Sequence, residues 1–145
     1  MFLTVSTSTA EPPATALTEY YEVPFKDSKA SGSGFSPRGM DVDSNNVVWT
    51  VLSSGQLASF DRRLCKGQLN GPNATGQQCP EGWTVYKTPG PTFKGEPDLS
   101  TDMLYLSNID HHDALGLGKD VLLSGDVNAD SFSVLQPQNG QMKTL

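Results

Sequence analysis

The residues with the most obvious chemical potential are His111 and His112, which stand between Asp110 and Asp113. Carboxylates beside an imidazole raise its basicity, which suits a general base or a metal ligand. Neighbouring residues on a strand point to opposite faces, so at most one of the two can enter a given pocket. A polar loop is the plain alternative. Arg38 is the second candidate, because a guanidinium at the start of a strand can grip a carboxylate or phosphate bidentately. A surface ion pair with Asp41 or Glu22 would occupy it equally well. Arg38, His111 and His112 are thus the candidate substrate-binding positions. No catalytic residue and no metal set can be assigned, and the cofactor is left open.

Two acidic runs imitate the opening of a calcium loop: Asp41-x-Asp43-x-Asn45 and Asp126-x-Asn128-x-Asp130. Such a loop needs glycine at its sixth place and a bidentate glutamate at its twelfth. Here Asn46 and Ser131 hold the sixth place, and Leu52 and Pro137 the twelfth. Both runs are therefore expected to be Asx-rich turns. No phosphate loop, dinucleotide turn or Ser-His-Asp order is present. Ser31-Gly32-Ser33-Gly34 is linker material, because no helix follows to meet a phosphate.

Cys65 and Cys79 bracket a stretch without apolar periodicity. Closing it by a disulfide would stabilise by roughly 3 kcal/mol in the chain-entropy model, and would favour a periplasmic or secreted setting. Two free thiols in a cytosolic protein are the rival reading. A metal site would need two further ligands at short spacing, and these are missing.

The chain that must position these groups has 145 residues, enough for one ordinary domain with a core. Charged residues are 18% of it, while glycine and proline number 14 and 10, a balance suited to a turn-rich β protein. The net charge of −6 and pI near 4.7 argue against nucleic acid, as does the scatter of the ten basic residues. No run of about 18 apolar residues occurs, so no membrane span is expected. Residues 1–18 lack a basic, apolar signal-peptide pattern, so they are expected to be a disordered leader or the arbitrary start of a longer reading frame.

Strands are expected at 19–24, 40–43, 47–52, 57–61 and 83–89, from β-branched and aromatic runs bounded by turn residues. Ser44-Asn45-Asn46 and Ser53-Ser54-Gly55 supply tight turns. Residues 90–110 are expected to be loop with a short strand at 103–106; strands follow at 120–124, 131–135 and 141–145, the last after a Gln138-Asn139-Gly140 turn. Trp49 and Trp83 lie in apolar strand runs and are expected to pack between sheets. No segment is patterned as a helix longer than two turns. Four strands in meander order, with the cysteine loop inserted between the third and fourth, match the layout of a propeller blade. The segments Tyr21-Glu22-Val23-Pro24 and Tyr86-Lys87-Thr88-Pro89 repeat the pattern Tyr-x-(Val or Thr)-Pro.

These parts resemble the propeller family that includes streptogramin B lyase and, more widely, NHL-repeat proteins. The resemblance rests on Glu19-Tyr20 to Pro24, Pro37-Arg38-Gly39-Met40, Asp43 to Asn46 and Val48-Trp49-Thr50. It is clear over residues 19–63 and fainter from 83 onward. It implies an all-β fold of β-propeller-type, four-stranded antiparallel blades, with one blade over 19–89 and a second from about 103 to the C-terminus. A propeller closes with at least about four blades, so an incomplete propeller is expected, with a self-contained small β domain as the alternative. For the lyase, the resemblance implies a magnesium-dependent opening of a lactone, with a histidine as base. Some family blades carry histidine where this chain has Arg38, and no family catalytic residue maps onto a position here. Two functions are therefore expected. The first is a ligand-binding or interaction propeller segment of a larger extracytoplasmic protein, taking a small molecule or protein at its channel face and prone to self-association through unpaired blade edges. The second is a lactone-opening lyase.

Overall fold

The structure is a computed structural model that describes residues 19–71, 73–137 and 140–144. The leader expected over 1–18 and the turn at Gln138-Asn139 lie outside the described residues.

The chain is all-β and antiparallel. Strands β1 (Pro37–Val42), β2 (Val48–Leu52), β3 (Gln56–Phe60) and β4 (Trp83–Lys87) form a first four-stranded sheet in that order. A short hairpin, β5 (Thr92–Phe93) and β6 (Glu96–Ser100), leads to the second sheet. This sheet is a meander of β7 (Leu104–Asp110), β8 (Val121–Asp126), β9 (Ser131–Gln136) and β10 (Gln141–Thr144). No closed barrel or closed propeller forms among the described residues.

The β2 sequence Val-Trp-Thr-Val-Leu has no turn former and three β-branched residues, and it is buried throughout. The turn before it is organised by Asp43. Its Oδ1 accepts the N–H groups of Asn45 (2.8 Å) and Val47 (3.0 Å), and its Oδ2 accepts Trp49 Nε1–H (2.9 Å). One buried carboxylate thus fixes both the turn and the ring of a core tryptophan. Asn46 takes φ +61°, as this turn requires. The second acidic run is also an Asx turn, with Asp126 Oδ1 accepting Asn128 N–H.

Strand alternation divides the first sheet into two apolar faces. Trp49, Val51, Leu57 and Tyr86 face the second sheet and pack on Leu104, Ile109, Leu122 and Leu135. Val48, Leu52, Ala58, Phe60 and Trp83 face the other way, where Tyr21, Val23, Leu69 and the two cysteines cover them. Cys65 and Cys79 are joined in a disulfide. Trp49 therefore packs between sheets as expected. Trp83 does not: it lies beneath the cap formed by the N-terminal segment and the cysteine loop.

Two expectations need correction. Residues 19–24 form no strand, because Tyr21 turns inward onto Phe60 (centroids 4.5 Å apart) and Glu22 N–H bonds Gly76 O in the cysteine loop. The segment is a lid on the sheet, not a member of it. Residues 90–110 are more regular than their proline and glycine content implied, holding the β5–β6 hairpin and a β7 that runs to Asp110. The histidines stand in the turn after β7, the polar-loop placement rather than a strand, so the rule of opposite faces does not apply to them.

Candidate functional site

The two sheets meet along their first strands. Arg38 lies against Tyr105, Gly39 against Ser107, and Asp41 against Ile109, so β1 and β7 run side by side in the same direction. Gly39 makes this approach possible. It carries φ +35° at a bulge between Arg38 and Met40, and a Cβ there would stand 3.0 Å from Ser107 N. The buried Thr50 hydroxyl is shared between the bulge carbonyls of Arg38 and Gly39. Asp41 bridges the seam, accepting Val42 N–H on one oxygen and Ile109 N–H (2.9 Å) on the other. At the seam Arg38 of β1 and Tyr105 of β7 form an exposed strip. Met40 and Val42 lie on the Val48 face of the first sheet, and Leu106 and Asn108 on the far face of the second.

Arg38 is held at one end of this seam. Its Nε donates to Ser53 Oγ (2.8 Å), and its guanidinium lies 5.0 Å from the Tyr105 ring centroid. The expected ion pair with Asp41 or Glu22 does not form. A planar cation steadied by a hydroxyl and an aromatic face suits recognition of a carboxylate or phosphate.

The other end holds His111. Its Nδ1 lies 3.1 Å from Asp120 Oδ1, and the buried Asp120 also accepts the backbone N–H and hydroxyl of Ser44. Burial raises the Asp120 pKa, but the bonds from Ser44 and His111 outweigh it and hold the carboxyl below its ordinary value. With Asp120 as acceptor the proton sits on Nδ1, which leaves Nε2 as the basic nitrogen. Ser44 bonds the carboxylate rather than the imidazole, so no serine–histidine nucleophile pair exists here. His112 is exposed, with its ring 6.4 Å from that of His111 and its N–H on Asp110.

The structure thus brings His111 and His112 together but not Arg38. Tyr105 and His111 are six positions apart, on the order of 15–20 Å at the rise of an extended strand. Tyr105, Asp41, Ser44 and Asp120 complete the two ends. Tyr105 and Asp120 carried no sequence signal, and Asp41 and Ser44 were legible only as turn residues or an ion-pair partner, because each acts across the seam or between distant turns.

A second feature is the far face of the second sheet. There Tyr105, Leu106, Leu123, Val127 and Phe132 line an open groove of about 580 Å³, with Asp130 at its rim. Phe132 and Leu106 are each 59% exposed, so this face is apolar and uncovered. No group of three or more His, Cys, Asp or Glu that could hold a metal ion gathers among the described residues. No helix among the described residues is long and apolar enough to cross a membrane. Comparison with protein-family models, curated proteins and solved structures finds no match to this chain.

Proposed function

We propose that the chain is a ligand-binding or interaction segment of a β-propeller belonging to a larger extracytoplasmic protein. The observation that carries this reading is the seam: two four-stranded meanders set face to face, with their first strands adjacent and codirectional. A propeller repeats that relationship around an axis, with first strands lining the channel. The strip of Arg38 and Tyr105 then faces the channel, where Arg38 offers an anionic group of the ligand its guanidinium. The uncovered face around Phe132 is the surface a following sheet would cover. The Cys65–Cys79 bond supports an oxidising compartment.

Light scattering with hydrophobic-dye binding on the isolated chain tests this. Self-association and dye binding are expected, both suppressed by Leu123→Lys with Phe132→Lys. A monodisperse, dye-silent monomer that unfolds cooperatively would mean the chain is a self-sufficient domain. For the ligand, calorimetric titration with small carboxylates and phosphates should give heat in the wild type and none in Arg38→Ala.

The second reading, a lactone-opening lyase, is favoured by one observation: Asp120 orients His111 as a base. Mass spectrometry of a cyclic depsipeptide lactone incubated with the chain tests it. Ring opening lost in His111→Ala would support it, and no product from the wild type would end it.

A further inference from the structure

The link between the two sheets runs through Asp102 and Asp126, which are only 9% and 5% exposed. Asp102 lies just before β7, and Asp126 ends β8. Asp126 Oδ1 accepts the N–H groups of Met103 (3.2 Å) and Asn128 (2.9 Å). Its Oδ2 is buried and receives no hydrogen bond from any described N–H or hydroxyl. The group within hydrogen-bonding reach is the carboxyl of Asp102.

The surroundings of Asp102 are closed. The hydroxyls of Thr88, at the end of the first sheet, and Ser100, at the end of β6, face it. Ser100 Oγ also accepts Asp102 N–H (3.0 Å). Its carboxylate packs on Gly90, where a Cβ would overlap it, and its carbonyl lies 2.5 Å from where a Cβ on Gly55 would stand. The Asp126 charge acts on Asp102 from alongside. Two ionised carboxylates in contact inside a protein repel strongly, and the buried Oδ2 of Asp126 would be left without a donor. One proton removes both problems, because a protonated Asp102 donates to the orphan oxygen of Asp126.

We propose that Asp102 holds a proton that it donates to the orphan Oδ2 of Asp126, forming a pH-sensitive clasp where the link from the first sheet enters the second, closed when the proton is bound. The clasp spans the joint. Ser100 N–H bonds Ser54 O in the β2–β3 turn, Asn128 Nδ2 bonds Thr101 O, and Val127 N–H bonds Met103 O. Loss of the proton therefore strains the same stretch that registers one sheet on the other. Burial, then the neighbouring Asp126 charge, raises the Asp102 pKa above its ordinary 3.8. The sign follows: folded protein holds the proton at pH values where unfolded chain has lost it. The stabilisation is complete below pH 3.8 and is lost as pH rises through the folded value.

The test is the thermal midpoint of wild type and Asp102→Asn from about pH 5 to 8, the difference between the curves isolating Asp102. The asparagine amide donates to Asp126 Oδ2 at every pH. The variant is expected to melt about 3–5 °C higher at the alkaline end and to flatten the slope. A lower midpoint with unchanged slope would overturn the proposal. So would a rise in the wild-type midpoint, absent from the variant, on adding calcium or magnesium, since the pair would then hold a cation. If Asp102→Asn does not fold, infrared spectroscopy of the wild type decides. A carboxylic-acid C=O band that disappears as pH rises supports the proton on Asp102, and a spectrum without one excludes it.

Discussion

Gly39 of β1 lies against the backbone of Ser107 in β7, closely enough that an added Cβ would meet Ser107 N at 3.0 Å and Leu106 Cα at 3.3 Å. Its φ of +35° places it where side chains are disfavoured as well. The contact sets the spacing of the two sheets, and both obstacles are backbone atoms that cannot rotate away. Gly39→Ala is expected to cost about 2 kcal/mol, from the left-handed conformation and the seam it would push apart. Urea denaturation measures this, and an unchanged midpoint would mean the strands are not in contact in solution.

The cap on the first sheet should depend on the disulfide. Cys79 is buried against the cluster of Tyr21, Phe60 and Trp83, and the bond closes a separation of 14 residues. Replacing both cysteines by alanine should lower stability by about 3 kcal/mol. A loss below about 1 kcal/mol would show that the cap holds without the bond.

Much of the first sheet was legible because its signals are local. Val47 to Leu52 is a nearly continuous, mostly β-branched apolar run of strand length, and Asp43 to Asn46 contains the turn's own hydrogen-bond acceptor. The lid over 19–24 was misread as a strand because a Tyr-Tyr-Glu-Val run has strand composition wherever it docks. What diverted it are distant partners: Phe60 beneath Tyr21, Gly76 O on Glu22 N–H, and Arg62, 43 positions from the Glu19 it grips. The functional strip was half legible. Arg38 stood out by type, but its partner Tyr105 comes from another sheet, and the buried Asp102–Asp126 contact joins residues that neither period nor motif links.

Glu19 is buried, and Arg62 grips it with two 2.6 Å bonds while Tyr21 OH donates to it at 2.7 Å. The Arg62 guanidinium holds the Glu19 carboxyl below its ordinary 4.5. Burial, with Glu19 beside it, pushes the Tyr21 phenol up to about 12. A depressed carboxyl contributes stability above its unfolded pKa and loses it as pH falls through the folded one. Arg62→Ala should therefore cost about 2 kcal/mol at neutral pH, less than a fully buried pair because half the guanidinium stays in water. The difference from wild type should shrink in acid below pH 4.5. A difference constant from pH 3 to pH 7 would refute the charge argument.

Ser107 and Ser124 are cross-strand partners whose hydroxyl oxygens are buried without a hydrogen-bond partner. Removing an unsatisfied polar atom forfeits no bond, so Ser124→Ala should be neutral or stabilising by up to about 1 kcal/mol. Chemical denaturation reads this directly, and a loss above about 1 kcal/mol would reveal a partner in solution.

Asp120 ties the turn before β2 to the turn after β7, since Ser44 and His111 both bond its carboxylate. It also carries φ +59°, which asparagine tolerates as well as aspartate does. Asp120→Asn therefore leaves the backbone unstrained while removing the charge and one of two acceptor oxygens. The expected loss is about 2 kcal/mol, the worth of bonds to a charged group. Because Asp120 is held below its ordinary 3.8, that loss should be full above this pH and fade as pH falls. The imidazole reports separately. In nitrogen-detected NMR the wild-type His111 should carry its proton on Nδ1, and the variant should shift toward the Nε2 form. An unchanged tautomer would show that Asp120 does not orient His111, and the case for His111 as a positioned base would fall with it.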